Sequence, residues 1–363
     1  MSAVKGDIRM EQTLYAEPGV VRCFVVDLFA AAGMEPSDAG CVADNLIDAD
    51  MRGVTTHGLT RIPLYFRSIE KGLCDVHAKP EMIRSFGATA LIHAHHCMGQ
   101  VSSVQAMNLA IEKAEQFGIG FVAVRDGCHY GTAGFYALMA ERKGMIGFST
   151  TNSGVFVAPY GGIEKRLGTN PLAVAIPTGR KDPILLDMAT SRVARGKLLV
   201  AMKKGEPVPP DWALDADGHI TTDAAKAFAG ILLPLSYKGY GLAVVIDMLA
   251  GVLSGSGFGS MVDTPNDHPQ VGSNFAAINI KALCDPDEFA RNVCALMDEI
   301  RSVRLDAETE RIYMPGEIEF DKERENRARG GVPLQPFQLR ELTEIGQRYG
   351  IHLNEYLEHG FSA

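Results

Sequence analysis

The stretch that most constrains this chain runs from Ile119 to Lys143. Ile119-Gly120-Phe121-Val122-Ala123-Val124 is a short, glycine-bounded apolar run. Such a run predicts a buried strand. Phe135-Tyr136-Ala137-Leu138-Met139-Ala140-Glu141-Arg142-Lys143 predicts a helix stopped by Gly144. Between them lies Gly127-Cys128-His129-Tyr130-Gly131-Thr132-Ala133-Gly134, a glycine-rich loop that carries a histidine. The chain is therefore expected to be α/β, with a loop of the kind where α/β folds dock ligands. Glycines let backbone approach a ligand, and a helix start offers uncommitted N–H groups. An imidazole there can exchange a proton near neutral pH, or it can simply pack and cap the loop.

Length and charge narrow the class. At 363 residues the chain exceeds one small core, so two or three sub-domains are expected. A net charge of −9 argues against a nucleic-acid partner, which selects for a basic face. The seven cysteines show no paired spacing, which fits reduced thiols and a cytoplasmic setting. Met1–Met10 has no signal-like apolar core, and the apolar run Leu242–Leu253 carries Asp247 and is too short to span a bilayer. No membrane association is expected.

Before the central stretch, Glu17–Ala32 has helical periodicity, and Ser37 is expected to cap a second helix ending near Met51. The segment Arg52-Gly53-Val54-Thr55-Thr56-His57-Gly58-Leu59-Thr60-Arg61, with Tyr65 beyond, gathers Thr56, His57, Arg61 and Tyr65. His57 and Arg61 are four apart and are expected to share a helix face. An arginine fork suits a carboxylate, although the same pattern fits a surface arginine beside a satisfied histidine. Leu91-Ile92-His93-Ala94-His95-His96-Cys97 raises a separate possibility, a non-catalytic metal-binding protein using His93, His95, His96 and Cys97. In a strand His93 and His95 point one way and His96 the other, and no second ligand cluster is in sight, so no metal is expected.

After the central stretch, Met145–Thr150 reads as a buried strand opening into Thr151-Asn152-Ser153-Gly154. Gly161-Gly162 and Gly168-Thr169-Asn170-Pro171 are binding loops or tight turns. Leu172–Ile176 and Pro183–Leu186 read as paired strands, and Lys203–Asp223 as a polar surface excursion. Lys238-Gly239-Tyr240-Gly241 opens a helix running to Leu253, where a lysine disfavours the helix start unless an anion is near. Ser254–Ser260 lacks the third glycine of a dinucleotide fingerprint and follows a helix, so it is not read as one. Ala276–Ile280 is expected as a strand, with helices over Pro286–Val303, Glu319–Arg329 and Leu334–Tyr349.

These motifs together closely resemble the type 2 malate/L-lactate dehydrogenase family, from about Val20 to Ile351. They are Arg52–Gly58 with Arg61 and Tyr65, His129-Tyr130-Gly131, Gly161-Gly162, Gly168–Pro171, Asp187-Met188-Ala189-Thr190, Lys238–Gly241 and Pro315-Gly316-Glu317. The resemblance implies a mixed-sheet, non-Rossmann NAD(P)-binding fold with helical N- and C-terminal parts. It divides the chain into a helical part over 1–85, a mixed α/β core over 86–310 and a closing segment over 311–363 that packs back on the first. It also implies a homodimer.

The implied activity is hydride transfer between NAD, with NADP possible, and a small 2-hydroxy or 2-oxo acid of the malate or lactate kind. Ureidoglycolate oxidation and cyclic-imine carboxylate reduction are alternatives on the same fold. His129 matches the family's proton acceptor, with His57 and Arg61 beside it in the catalytic set. Thr56, Tyr65, Thr169 and Asn170 fall on the substrate side. Ser153, Asp187, Met188, Ala189, Lys238, Pro315, Gly316 and Glu317 fall on the cofactor side, with Lys238 meeting either the pyrophosphate or the nicotinamide ribose. The chain departs from the family pattern at Thr56, where serine is usual, at Cys128, where a small polar residue is typical, and at Tyr237, where proline is common.

Overall fold

Residues 12–262 and 267–360 are described by the computed structural model. In chain order, β1 (Leu14–Ala16) precedes α1 (Pro18–Ala31), α2 (Pro36–Met51) and α3 (Ile62–Glu70). β2 (Glu81–Phe86) and β3 (Thr89–His93) lead through α4 (Gly99–Phe117) to β4 (Ile119–Gly127), and α5 (Ala133–Glu141) follows the His129 loop. Then come β5 (Met145–Thr151), β6 (Leu172–Ile176), β7 (Ile184–Met188), α6 (Arg195–Lys204), β8 (Ala213–Leu214), α7 (Ala224–Ala229), β9 (Ile231–Leu232) and α8 (Ser236–Asp247). β10 (Val271–Asn279), α9 (Pro286–Arg301), α10 (Glu317–Ala328), β11 (Val332–Leu334), α11 (Pro336–Arg348) and α12 (Leu353–Gly360) follow.

Two compact units result, one of residues up to Lys71 with those from Glu319 onward, the other Gly72–Ile318. In the first, β1 pairs antiparallel with β11, so segments more than 300 residues apart in sequence are hydrogen-bonded together. Its core is aromatic and aliphatic: Phe24, Leu28, Phe29, Leu46, Leu59, Ile62 and Phe66 are all essentially excluded from solvent. Phe66 sits edge-on to Tyr349 at 4.8 Å, which ties α3 to the closing helices.

The second unit is built on a seven-stranded sheet in the order β2-β3-β4-β10-β5-β6-β7. β3 and β4 pair parallel across α4, and the other neighbours are antiparallel. That is a mixed sheet, not the all-parallel sheet of a doubly wound dinucleotide domain. Gly120, Ala277, Gly147 and Ala175 stand in register across β4, β10, β5 and β6. A Cβ at Gly120 would come within 1.9 Å of the Ala110 carbonyl, and one at Gly147 within 2.1 Å of the Ala137 carbonyl. The small residues therefore let α4 and α5 lie almost backbone-to-backbone on this face. On the other face Gly272 does the same for the π-helical extension of α8, Met248–Leu253, with only 1.8 Å between a would-be Cβ and the Ala250 carbonyl.

Several expectations shift. The helix expected from Ser37 starts at Pro36, with Glu35 at the cap and no side-chain cap bond, because proline is pre-set for the first turn. The strand expected at Ala276–Ile280 begins five residues earlier at Val271 and gives way to a 3-10 turn at Ile280. Gly272-Ser273-Asn274 concealed it, since buried small and polar residues break the apolar run. The stretch 203–223 is no mere excursion: Val208 and Ala213 are buried in a satellite core with Val157, Leu198, Ala224, Ala227 and Leu232.

Candidate active site

The His129 loop leaves β4 at Gly127 and is clamped from two sides. The first residue of α4, Gly99, lies so close beneath it that a Cβ would be 2.3 Å from the Cys128 carbonyl and 2.6 Å from that of His129. Above, the Tyr136 hydroxyl donates to the Tyr130 carbonyl in a short hydrogen bond. Tyr130 is buried, which holds its own hydroxyl well above the usual phenol range and keeps it neutral; Ser149 Oγ donates to it at 3.4 Å. Gly131, with φ +83°, turns the chain so that its N–H donates to His129 Nδ1 at 3.3 Å. His129 itself is part-buried, and the Cys128 thiol donates to the His96 carbonyl at 3.3 Å.

The other loops of this unit converge on the same end of the sheet. Gly134, in the first turn of α5, donates to Asp187 Oδ2 at 2.8 Å. Asp187 and Met188 close β7, and beside that strand the Pro315 carbonyl accepts from Leu185 N–H at 2.9 Å while Gly316 rests on Leu185. Glu317 pairs with Arg301 and accepts from Met314 N–H at 2.8 Å, fixing the turn. Ser153 Oγ accepts from Thr169 N–H at 3.1 Å, and Asn170 bridges from Ser153 N–H (3.2 Å) to the Ala243 carbonyl (3.0 Å). Asn170 does this from a left-handed backbone, φ +31°, a conformation asparagine tolerates better than most residues. The Thr169 carbonyl accepts from both Thr190 N–H and Thr190 Oγ1, and Thr190 in turn accepts from Leu235 N–H. Residues 153, 169–170, 187–190, 235–239 and 315–317 are thus one connected set.

Lys238 sits exposed in the first turn of α8, its ammonium 5.9 Å from the Tyr237 ring. No carboxylate partners it among the described residues. An unneutralised cation beside helix N–H groups suits an anion.

In the other unit, the expected shared helix face for His57 and Arg61 gives way to two 3-10 turns, Thr55–His57 and Leu59–Arg61, hinged at Gly58. Pro63 at the start of α3 keeps the regular helix from extending back over this segment. The residues still come together. Arg61 Nε donates to the Thr56 carbonyl at 2.6 Å, Thr60 Oγ1 donates to the Thr55 carbonyl at 2.6 Å, and Thr56 Oγ1 lies 2.9 Å from His57 Nδ1. Burial, then the Arg61 charge, push the His57 pKa down to about 3, so its ring is neutral across the working pH range. The Thr56 hydroxyl and His57 Nδ1 thus share a hydrogen bond in which either atom can be the donor. Burial also lowers the Arg61 pKa, yet a guanidinium keeps its charge. Tyr65 is buried one turn further on.

His93, His95 and His96 do not converge on a common point. His95 and His96 adopt left-handed backbone (φ +51° and +59°) after β3 ends, and the His93 and His95 rings stack at 3.9 Å. His93 Nε2 is 3.3 Å from Asp126, His95 Nε2 is 3.2 Å from Glu81, and His96 Nδ1 is 3.2 Å from the Pro269 carbonyl. The His/Cys/Asp/Glu group whose ligand atoms do converge, among the described residues, is half-buried Asp215 with exposed Asp217 and His219.

Two buried acids that the motifs do not include support these loops. Asp247 holds Asn152 Nδ2 at 3.0 Å and Gly259 N–H at 2.8 Å, and Asp50 lies beneath Gly58. The signal available in the sequence is a lone acid within an apolar helical pattern, and for Asp247 it was visible.

Comparison with known proteins places the chain in a family. The family model described as malate/L-lactate dehydrogenase matches residues 18–343. A malate dehydrogenase from Pyrococcus abyssi is 44% identical over 338 residues, covering 90% of this chain and 93% of that one. An L-sulfolactate dehydrogenase from Methanocaldococcus jannaschii is 38% identical over 340 residues, covering 92% and 97%. The solved structure of malate dehydrogenase from Pyrococcus horikoshii OT3 superposes with a TM-score of 0.86 at 40% identity, covering 96% of this chain and 99% of that one. The chain belongs to the malate/L-lactate dehydrogenase family of oxidoreductases.

Proposed function

We propose that the protein transfers a hydride between a nicotinamide dinucleotide and a small 2-hydroxy/2-oxo acid, with malate the first substrate to test. The observation that carries this reading is the His129 loop. It presents an imidazole on a clamped, glycine-turned backbone, joined through Gly134 and Asp187 to the connected loops of the same sheet end. Oxidising a secondary alcohol requires a base for the hydroxyl proton as hydride departs, and His129 takes that role, returning the proton in the reverse direction. With the Gly131 N–H on Nδ1 the ring's lone pair is at that nitrogen, so the substrate proton is taken up at Nδ1, and the contact, long at 3.3 Å, yields as it arrives.

The residues present fit a dinucleotide. Lys238 is a cation at a helix start with no carboxylate partner among the described residues, and the backbone-linked loops at Ser153, Asp187–Ala189 and Pro315–Glu317 surround the same strand ends. Bound there, the nicotinamide supplies the hydride acceptor and donor. NAD is the proposed form, with NADP as the second to assay. Arg61 holds the substrate carboxylate, His57 serves as a second hydrogen-bond donor to it, and Thr56, paired with the His57 ring, positions both. Thr169, Asn170 and Tyr65 shape the substrate side.

We also infer a homodimer. It is supported by the outward apolar face of α8 and its extension, where Leu242, Val245, Met248 and Val252 are each more than a third exposed.

The test is an NAD(P)H absorbance assay with malate, lactate and sulfolactate in the oxidative direction, and with their 2-oxo acids and a cyclic imine carboxylate in the reductive one. Turnover of the hydroxy/oxo pair is expected. Turnover confined to the cyclic imine would overturn the reading.

A further inference from the structure

We propose that Asp50 is a positioning residue for substrate binding: its buried carboxylate is the platform on which the Thr56–Arg61 segment is held. This rests on the reading above, in which Arg61 grips the substrate carboxylate.

The geometry is specific. Asp50 is in the last turn of α2 and fully excluded from solvent. Its Oδ2 accepts the Leu59 N–H at 2.8 Å. Leu59 opens the second of the two 3-10 turns, the one that ends in Arg61. Gly58 lies flat on the carboxylate: a Cβ there would be 2.2 Å from both Cγ and Oδ1. The hinge between His57 and Arg61, closed on itself by its own turn bonds, is therefore tied to α2 by one hydrogen bond and one close packing contact, both to Asp50.

The carboxylate is itself held from the C-terminal helices. Gln338 Oε1 accepts the Gln335 N–H at 2.8 Å in a capping box, which fixes the amide so that Nε2 is turned to Asp50 Oδ2 at 3.5 Å. Asn326 on α10 donates to the Met51 carbonyl at 2.9 Å. Arg52 is braced by Asp48 at 3.0 Å and by the Phe320 ring at 4.6 Å. Asp50 Oδ1 is buried with no hydrogen-bond partner among the described residues. Burying an acid with one oxygen left unpartnered costs stability. A fixed acceptor for Leu59 beneath a glycine is what the acid provides in return.

The experiment compares Asp50→Ala, Asp50→Asn and Gly58→Ala with Arg61→Lys, using malate as the variable substrate. NADH affinity is read separately by fluorescence titration. Asp50→Ala removes the acceptor and is expected to raise KM for malate by about tenfold or more, about 1.4 kcal/mol. Its kcat and NADH affinity should stay near wild type. Asp50→Asn keeps an oxygen for Leu59 and should restore KM to near wild type, which loss of packing alone does not predict. Should Asp50→Ala fail to fold, Gly58→Ala carries the test, since its methyl displaces the segment from the same carboxylate and should give the same split. An unchanged KM in soluble Asp50→Ala or Gly58→Ala, with KM raised in Arg61→Lys, overturns the positioning role and leaves the Arg61 reading standing. An unchanged KM in Arg61→Lys overturns the Arg61 reading, and the proposal with it.

Discussion

The Gly134 N–H and the Asp187 carboxylate are joined at 2.8 Å, so the last residues of β7 anchor the first turn of α5. The carboxylate meets a helix start, where the unpaired N–H groups and the helix dipole both favour negative charge. A Cβ on Gly134 would be 2.7 Å from Oδ2, so the glycine is what allows the approach. Asp187→Ala is expected to cost about 0.5–2 kcal/mol of stability, as loss of a helix N-terminal acceptor does. It should lower kcat as well, because α5 is continuous with the His129 loop. Thermal melts and steady-state kinetics on one preparation check both, and a melting temperature equal to wild type would show that the contact contributes nothing.

His129→Ala is expected to lose about 10²–10⁴-fold in kcat, the usual scale for removing a general acid–base group. NADH binding should persist, because the cofactor candidates are tied to one another through Ser153, Thr169 and Thr190 rather than through the imidazole. Fluorescence titration with NADH alongside turnover separates the two. A variant that turns over normally removes His129 from the chemistry.

Much of this is legible in the sequence. The β4–loop–α5 unit could be read because an apolar run, glycines and a helical run follow one another without interruption. The connected loops could be read only as separate pieces: nothing in Ser153, Thr169 or Thr190 says that one hydrogen-bond chain links them. The Thr56–Arg61 segment differs in form from its spacing: four residues apart suggests a helix face, while Gly58 and Pro63 divide the chain into two 3-10 turns. The first half of β10 is not legible because it is Gly272-Ser273-Asn274, small and polar residues set by the closeness of Ala250 on one side and by two strand neighbours. Asp50 was silent, because its role depends on Leu59 and Gln338, nine and 288 residues away.

Asp50 and His57 give the first unit opposite pH responses. Burial raises the Asp50 carboxyl to about 7 from 3.8, and its polar neighbours among the described residues are the Leu59 N–H and the Gln338 amide, with no cation beside it. The folded chain therefore holds that proton more tightly than the unfolded one. The resulting stability is complete below pH 3.8 and is lost as pH rises through about 7. His57, depressed to about 3 from 6.5, contributes stability above pH 6.5 that is lost as pH falls toward 3. Asp50→Asn removes only the first response. Its melting temperature relative to wild type is expected to rise between pH 5 and pH 8. A difference that stays flat over that range would show that Asp50 titrates in the folded protein as it does in the unfolded one.

Gly147 tests the close packing of α5 on the sheet. A methyl at this position would sit 2.1 Å from the Ala137 carbonyl, so Gly147→Ala must lift the helix or bend the strand. Overpacking of this kind costs about 1–3 kcal/mol. Because α5 follows directly on the His129 loop, kcat should fall along with the melting temperature. Denaturant melts and turnover measure the two effects, and wild-type values for both would mean that the helix rides loosely on β5.

The apolar face of α8 makes the last prediction. Leu242, Val245, Met248, Val252 and Leu253 recur at helical spacing and lie 42–60% exposed. The helix is held from its other side, where Asp247 takes bonds from Asn152 and Gly259. An apolar stripe of this length on a monomer is an association liability unless something covers it, and a second copy is the occupant proposed here. Val245→Asp with Val252→Asp puts two charges on the stripe without touching the Asp247 contacts. Wild-type protein is expected to sediment as a dimer and the double variant as a monomer with unchanged far-ultraviolet circular dichroism. A wild-type chain that sediments as a monomer at micromolar concentration, or a double variant that stays dimeric, would place the subunit contact elsewhere or remove it altogether.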